Sequence, residues 1–252
     1  MASTTVDLSL DFEAMDARGV LGWALDAYHP DLAVSVAGGA EGMVVVDMAS
    51  QMVPDLEVFT LDTGKLHEET LLYFETVEER YGIRIRRFEP DPGQLERMIS
   101  AFGEDLYFKG VNFRALCCQV RKVYPMKHAL QGRDAYVTGI RRSQTATRSG
   151  IRKVEIDDEH GGIVKVSPLA DWSPEQVAAY VEEHDVPTHP LFEQGYRSIG
   201  CAPCTRPVGE DEDERAGRWW WEVDAPKECG LHSRPVGALD FEISEVVGDD
   251  AE

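Results

Sequence analysis

Apolar and polar residues along this chain repeat with two different periods, and the two periods alternate. Asp11 to Tyr28 has apolar residues near helical spacing, so we interpret it as a packing helix. Leu32 to Val36 is a short, β-rich apolar run. It leads into a glycine-rich turn over 37–42, a helix over Met43 to Met52 and a second strand over Leu56 to Leu61. The first predicted unit is therefore strand, glycine loop, helix and strand.

The same alternation continues to His184. Its predicted elements are a helix over Lys65 to Tyr81, a strand over Ile83 to Phe88, helices over Gln94 to Phe102 and Asn112 to Val123, and strands over Ala135 to Ile140 and Ile163 to Val166. A last helix, Ser173 to His184, has Ser173 as N-cap, Pro174 at its first position and Gln176 to complete a capping box. This order predicts an α/β fold, a parallel sheet with helices on both faces and ligands at the carboxyl ends of the strands.

Regular periodicity is lost after the last predicted helix. Residues 185–252 contain the segments CAPC, GEDEDE, WWW and KECGLH, which together indicate a loop-rich region that carries site residues. We therefore divide the chain into a nucleotide-binding α/β domain over 1–204 and a C-terminal extension over 205–252.

Composition indicates a globular protein of the reducing cytoplasm. The chain has 252 residues, of which 43% are hydrophobic, enough for a sizeable core. Apolar runs such as Met43 to Val46 are far shorter than the roughly 20 residues that cross a bilayer, and the start MASTTVDLSL does not resemble a signal peptide. Five unevenly spaced cysteines are not typical of a secreted disulfide scaffold, so we expect metal binding or catalysis from them.

The net charge of −21 argues against a nucleic-acid partner, because most of the surface would repel phosphate backbones. We interpret the charge as a solubilising coat; adaptation to a salty cytoplasm is the alternative. Two groups of arginines stand out against this acidic background and predict a pocket for a small anion: Arg141, Arg142 and Arg148, and Arg206, Arg215 and Arg218.

Glycine-bearing turns follow three of the predicted strands. The segment GGAEG, which begins at Gly38, could bring backbone N–H groups close to a phosphate at a helix start. It has neither the Lys and Ser/Thr of a P-loop nor the GxGxxG pattern, so an ordinary tight turn fits it equally well. The turns LDTG and TGIRR follow two other strands. Three such turns at one sheet edge favour a nucleotide pocket.

Four of the five cysteines form two close pairs. Cys201 and Cys204 have the spacing that lets two sulfurs face one metal, whereas Cys117 and Cys118 are adjacent in a predicted helix. Adjacent helical side chains project about 100° apart, so both reach one centre only if that centre is broad. Cysteine spacing alone does not distinguish four possibilities, which are an iron–sulfur cluster, a zinc ion, a vicinal disulfide and unreactive buried thiols.

The fifth cysteine, Cys229, lies alone in KECGLH. Lys227 and His232 would favour its thiolate, Gly230 would allow close approach, and Glu228 would oppose a lowered pKa. A thiolate is a nucleophile and exchanges with thioredoxin-type thiols. The alternative is a tail cysteine without a function.

Taken together, the motifs resemble one family: GGAEG, LDTGKLHEET, CCQVRK, TGIRRSQTATR, SIGCAPCTRP, an R-x-x-R before WWW, and KECGLH. From about residue 32 to 232 the chain is similar to the iron–sulfur type of assimilatory adenosine 5′-phosphosulfate (APS) reductases in the PAPS/APS reductase family. The resemblance implies an adenine nucleotide alpha-hydrolase-like fold and reduction of APS to sulfite and AMP in sulfate assimilation. It also implies a [4Fe-4S] cluster and a thioredoxin or glutaredoxin-like reductant.

The resemblance also implies a role for individual residues. The cluster ligands would be Cys117, Cys118, Cys201 and Cys204, and Cys229 would attack sulfur. Substrate would be held by Lys122, Arg215 and Arg218 at the phosphosulfate, and by Arg148, Gly38, Gly39, Gly139 and His232 elsewhere in the pocket. The chain departs from the family loop at Gly38 and Gly42, where Ser and Asp are usual, so the side-chain contacts of those two residues would be lost and backbone contacts would survive.

Three alternatives accompany this interpretation. The first is reduction of the 3′-phosphorylated nucleotide PAPS, and the second is a non-catalytic iron–sulfur or zinc-binding redox sensor. The third, an ATP-dependent adenylating or thiolating enzyme, is disfavoured because GGAEG lacks the usual lysine. Residues 222–252 are predicted to close over substrate as a mobile lid, and the chain could form homo-oligomers.

Overall fold

A six-stranded sheet forms the centre of the computed structural model, which describes residues 10–222, 227–229, 231 and 248. Its strands are β1 (Leu32–Val36), β2 (Val58–Leu61), β3 (Ile85–Phe88), β4 (Ala135–Thr138), β5 (Val154–Asp157) and β6 (Ile163–Val166). They lie in the order β3-β2-β1-β4-β6-β5, and all neighbouring pairs are parallel except β5 and β6. The predicted parallel sheet is confirmed, with one correction: the antiparallel edge strand β5 was missed.

Seven α-helices occur in the part of the chain that the structure describes: α1 (Ala17–Tyr28), α2 (Ala40–Ser50), α3 (Glu68–Tyr81), α4 (Pro92–Phe102), α5 (Val111–Cys118), α6 (Tyr124–Leu130) and α7 (Pro174–Glu183). The capping box predicted for α7 is present, since Ser173 accepts from Gln176 N–H and the Gln176 side chain accepts from Ser173 N–H. Beyond α7 the described residues contain only short 3-10 turns, as the loss of periodicity predicts.

Helices cover both faces of the sheet. Residues of α1, α2, α3 and α7 pack against one face in the largest apolar core, which includes Val34, Val58 and Phe74. On the other face, Met126 and Leu130 of α6 pack against Phe59 of β2. A separate core over α4 and α5 contains all five cysteines. The two-faced α/β architecture is confirmed.

Three predicted helix boundaries are wrong in ways that bear on the site. The helix predicted from Asp11 is a 3-10 turn followed by α1, because Asp16 caps a new start at Ala17. α2 begins at Ala40, so the glycine segment is already its first turn. α3 begins only at Glu68, because the backbone of Lys65 and Leu66 pairs with the CAPC segment instead.

The helix predicted over Asn112 to Val123 is interrupted. α5 ends at Cys118, a π turn spans Gln119–Val123, and α6 continues to Leu130. Pro125, at the start of α6, has no N–H to bond the carbonyl of Arg121, which weakens regular α-helical bonding there. Such π turns in helices often mark functional sites.

Among the residues described, no helix combines the length and the apolar character needed to span a bilayer.

Candidate active site

The glycine turns lie at one edge of the sheet, where the parallel strands β1, β2 and β4 end. Gly38 adopts φ +82°, and a Cβ there would lie 3.2 Å from Cδ2 of His189, so glycine suits both the conformation and the space. Gly39 is the N-cap of α2 and directs the helix N-terminus toward this edge. Gly139 has a packing role, since its Cβ would lie 2.6 Å from the carbonyl carbon of Glu41.

The structure brings the two cysteine pairs together. Cys117 and Cys118 end α5, while Cys201 and Cys204 lie around the 3-10 turn Ala202–Cys204. All four thiols are free and buried, and they line one cavity. The remaining lining residues of that cavity are Lys65, Tyr107, Arg114, Arg121, Lys122, Pro203 and Trp219.

Backbone pairing with the LDTGK segment holds the CAPC segment in this position. Ala202 N–H donates to the carbonyl of Lys65 at 2.7 Å, and Leu66 forms a bridge with Cys201. The hydroxyl of Thr63 lies 3.2 Å from the Cys201 sulfur. Two motifs that are more than a hundred residues apart therefore form one wall of the site.

The four cysteines are the candidate ligands of a metal centre. Within the described residues, no three His, Cys, Asp or Glu side chains converge tightly enough to hold one ion. A four-iron cluster is broader, and it stays a prediction. Burial raises the pKa of the Cys117 thiol to about 11 and that of the Cys204 thiol to about 12, so metal coordination would be what keeps these sulfurs as thiolates.

The cations around the cavity suit an anionic thiolate cluster. Nε of Arg121 and Nε of Arg218 are buried and have no hydrogen-bond partner among the described residues. Burial would lower the pKa of Lys122, but the sulfurs of Cys201 and Cys229 raise it overall. Arg121 and Arg218 are buried and Lys122 is half-buried, and these positive groups lie close to the sulfurs whose charge they would balance.

Cys229 lies against the same cysteine core. Its sulfur is buried and lies 3.9 Å from the sulfur of Cys118. Arg114 Nη1 donates to the Glu228 carbonyl at 3.0 Å, and Arg215 Nη2 donates to the Lys227 carbonyl at 2.6 Å. The described part of the KECGLH segment is therefore held by two buried arginines.

The expectation that Lys227 supports the Cys229 thiolate is wrong. Its Nζ donates to the carbonyl oxygens of Trp219 and Glu222, at 2.8 and 2.5 Å, so its charge serves the backbone of the WWW segment. Arg114, Lys122 and Arg215 are cations whose charge does act on Cys229. His232, and with it the proposed substrate contact, lies outside the described residues.

Glu228 sits between two of the predicted substrate arginines. Arg148 contacts its carboxylate through Nε at 2.9 Å and Nη2 at 2.8 Å, and Arg215 Nη2 lies 3.5 Å away. Burial alone would raise the pKa of Glu228, but these contacts lower it to about 2. Burial, together with the neighbouring Arg218 and Arg148, lowers the pKa of Arg215 to about 10.

Arg218 lies close enough to the cysteines for its charge to act on the Cys204 sulfur. Its Nη1 donates to the Ile199 carbonyl at 3.1 Å, and its guanidinium lies over the Trp219 ring, 4.6 Å from the centroid. It also packs on Gly200, where a Cβ would lie 2.5 Å from the guanidinium carbon. Gly200 is therefore required for the position of Arg218.

Three of the six clustered arginines pair with carboxylates other than Glu228, so the prediction of one anion pocket formed by both groups of arginines is wrong for these three. Arg141 is buried and pairs with Glu41 at 2.7 Å, Arg142 pairs with Glu13, and Arg206 pairs with Glu212 on the surface. Each is neutralised by a carboxylate that the charge count alone could not assign.

A buried ion pair that no sequence pattern predicted lies beside the site. Nε of Arg114 lies 2.8 Å from Glu222, and its guanidinium lies 4.3 Å above the Trp219 ring. Arg114 precedes Cys117 and Cys118 by three and four positions, so helical spacing already placed all three on one side of α5. The partner Glu222 had no comparable signal.

A family model described as the phosphoadenosine phosphosulfate reductase domain matches residues 31–207. The chain belongs to this family. An adenosine 5′-phosphosulfate reductase of Allochromatium vinosum is 48% identical over 78% of this chain and 76% of its own length. One from Agrobacterium fabrum is 37% identical over 94% of this chain and 93% of its own length. The predicted family and the prediction that the protein is an enzyme are both confirmed.

Solved structures agree with this family assignment. The phosphoadenylyl-sulfate (PAPS) reductase of Candida auris, in a phosphate complex, matches with a TM-score of 0.66 and 27% identity, covering 79% of this chain and 93% of that chain. Yeast FAD synthetase in complex with FAD matches with a TM-score of 0.53 and 17% identity, covering 87% and 78%. The second likeness concerns the fold alone, and the predicted adenine nucleotide alpha-hydrolase-like fold is confirmed.

Proposed function

We propose that this enzyme reduces APS to sulfite and AMP in sulfate assimilation, with a thioredoxin or glutaredoxin-like dithiol as reductant. The observation that carries the proposal is the position of Cys229, which is buried among Arg114, Lys122 and Arg215 beside the four-cysteine cavity. The family's relatives named APS reductase support this choice of nucleotide.

In the first step, the Cys229 thiolate attacks the sulfur of APS. A bond forms between the two sulfurs while the bond from sulfur to the bridging phosphate oxygen breaks, and AMP leaves with the electron pair. The product on the protein is an S-sulfonated Cys229. In the second step, a thiolate of the reductant attacks the Cys229 sulfur, and sulfite leaves with the electron pair of the broken S–S bond, which gives a mixed disulfide between Cys229 and the reductant. The reductant's second thiolate then attacks the reductant's own sulfur in that disulfide, which closes the reductant's disulfide and releases the Cys229 thiolate. The dithiol supplies both electrons.

Charge compensation is the main contribution of the surrounding residues. A thiolate approaches an already anionic phosphosulfate, so Lys122, Arg215 and Arg218 would offset the repulsion and stabilise AMP as it leaves. Backbone N–H groups at Gly38 and Gly39 would approach the nucleotide at the α2 N-terminus, with Arg148 nearby. Arg114 and its partner Glu222 keep the nucleophile segment in place.

Cys117, Cys118, Cys201 and Cys204 would hold a [4Fe-4S] cluster. When bound, the cluster would tie α5 to the CAPC segment and contribute local charge beside Lys122. We infer a cytoplasmic location, because the five cysteines form no disulfide and thiols of this kind suit a reducing compartment. A homo-oligomer remains a prediction.

Intact mass measurement after incubation with APS and no reductant tests the proposal. One added SO₃ group on native protein and none on Cys229→Ser is the expected result. A parallel incubation with PAPS tests the nearest alternative, since faster sulfonation by PAPS would reassign the substrate. No adduct with either nucleotide would favour a cluster-binding sensor.

A further inference from the structure

Glu228 has no part in the reaction described above, yet its carboxylate is the centre of a buried polar site. The residue is 1% exposed. Its Oε1 accepts hydrogen bonds from the hydroxyls of Thr145 at 2.7 Å and Thr147 at 2.9 Å, and from Nε of Arg148 at 2.9 Å. Its Oε2 accepts from Nη2 of Arg148 at 2.8 Å, and Nη2 of Arg215 lies 3.5 Å away.

These donors are of the kind that binds any oxyanion. An arginine fork with two hydroxyls matches the oxygens of sulfate or phosphate as well as those of a carboxylate. Arg148 and Arg215 are also two of the residues assigned to the sulfonucleotide. On the proposed function, Glu228 would therefore occupy hydrogen-bonding positions that a phosphate or sulfate oxygen of the bound sulfonucleotide would use.

We propose that Glu228 is an internal anion that competes with the sulfonucleotide for Arg148 and Arg215, so that the arginines that recognise substrate also latch the Cys229 segment. The identity of the substrate rests on the proposed function. The competition itself requires only an oxyanion, which allows the two to be tested separately.

The latch acts on Cys229 through the backbone, because Glu228 directly precedes it. With Glu228 bound, the Cys229 sulfur is buried against Cys118 at 3.9 Å. An oxyanion on the arginine pair would leave Glu228 as a buried charge without partners, which is costly, so the side chain would move toward water. That movement would release Cys229 from Cys118 and let its thiolate approach the sulfur of the bound substrate.

The first test uses native holoprotein under anaerobic conditions, with inorganic sulfate as the anion. Alkylation of Cys229 by the neutral reagent iodoacetamide is followed by peptide mass spectrometry. We expect the rate to rise about tenfold and to saturate with sulfate, while chloride at equal ionic strength has no effect. A rate that sulfate leaves unchanged or lowers would overturn the latch.

The second test compares Glu228→Gln with Glu212→Gln. Both variants lose one negative charge from the region after CAPC, but Glu212 pairs with Arg206 at the surface. We expect Glu228→Gln to bind sulfate about tenfold more tightly by calorimetry and to be alkylated rapidly without sulfate, whereas Glu212→Gln should match the native protein. If both variants bind sulfate more tightly by the same factor, the cause is the change in net charge, and a local competition by Glu228 is refuted.

Glu228→Asp keeps the charge and covers the case in which Glu228→Gln fails to fold. Its shorter side chain should give intermediate values in both assays, and native values in both would count against the latch.

The APS mass assay separates this proposal from the proposed function. If sulfate speeds alkylation of Cys229 but APS gives no adduct, the proposed reaction is wrong and the latch is supported. If APS gives an adduct but sulfate does not speed alkylation, the proposed reaction is supported and the latch is wrong.

Discussion

The largest apolar core, which packs against the sheet (the sheet core), and the core over α4 and α5 that contains the five cysteines (the cysteine core) bury different kinds of side chain. The sheet core is almost wholly apolar, with residues such as Val34 and Phe74 fully buried in regular helices and strands. The cysteine core mixes thiols and Trp219 with the buried ion pairs Arg114–Glu222 and Arg148–Glu228. The first gains stability from the hydrophobic effect. The second places reactive and charged groups at a cost that each pairing must offset, which is typical of a site.

The two cores also differ in charged groups. The chain carries a net charge of −21, while buried cations concentrate around the cysteines. Substitutions in the sheet core should therefore lower the free energy of unfolding, and substitutions in the cysteine core should lower activity or binding.

The largest expected effect is loss of turnover in Cys229→Ser, because the hydroxyl is a far weaker nucleophile than a thiolate. Anaerobic protein should still be brown and contain about four irons per chain. Cys201→Ser is the contrasting variant, and it should lose the iron. Sulfite formation by Cys229→Ser, measured with a thioredoxin as reductant, would contradict the mechanism.

Phe74→Ala should lower the free energy of unfolding by about 3–5 kcal/mol, since it leaves a cavity in the sheet core. Denaturant unfolding of holoprotein measures the change, and the folded fraction should keep native activity per molecule. Leu72→Ala on the same helix is the control, because Leu72 is 56% exposed. A comparable loss in both variants would mean that burial does not distinguish them.

Arg215→Ala should weaken APS and AMP binding about ten- to a hundredfold, the equivalent of one charge-assisted contact of about 1.5–3 kcal/mol. Calorimetry gives the affinities. Arg206→Ala removes the same charge from a half-buried pair with Glu212 outside the site and should leave both affinities unchanged. If Arg206→Ala loses as much affinity as Arg215→Ala, the anion site has been placed wrongly.

The smallest effect concerns a helix end far from the chemistry. Ser173→Ala removes the N-cap of α7 and should cost about 1 kcal/mol of stability without changing activity. Ser173→Asp, which can accept the same hydrogen bond, should stay close to native in thermal unfolding. An alanine variant as stable as the aspartate variant would show that the cap contributes nothing.

Much of the fold follows from local sequence signals. The α7 cap, the strand–helix alternation and the glycine turns depend on neighbouring residues, and they were predicted. β5 was missed because Val154–Asp157 is a four-residue edge strand with only alternate residues apolar. The π turn was missed because Pro125 breaks hydrogen bonding inside what looks like one continuous helix.

The site was predictable in its reactive residues but not in its pairings. Cysteine spacing and the RxxR pattern identify groups with obvious chemistry, although their roles came from the family resemblance. The pairing of Glu228 with Arg148 spans 80 residues, and that of Glu222 with Arg114 spans 108. Such contacts depend on how four separate segments meet, and no local pattern encodes them.

The π turn determines the angle around the helix axis between the side chains of the cysteine pair and the side chain of Lys122. Each residue of a helix rotates the next by about 100°, and the wider π turn adds residues without adding a full α-helical step of rotation. Removing one residue between Cys118 and Lys122 would rotate the Lys122 side chain by about 100° relative to the cysteine pair, away from the direction that it now takes. The length of this turn, and not only the identity of its residues, is therefore part of what the site requires.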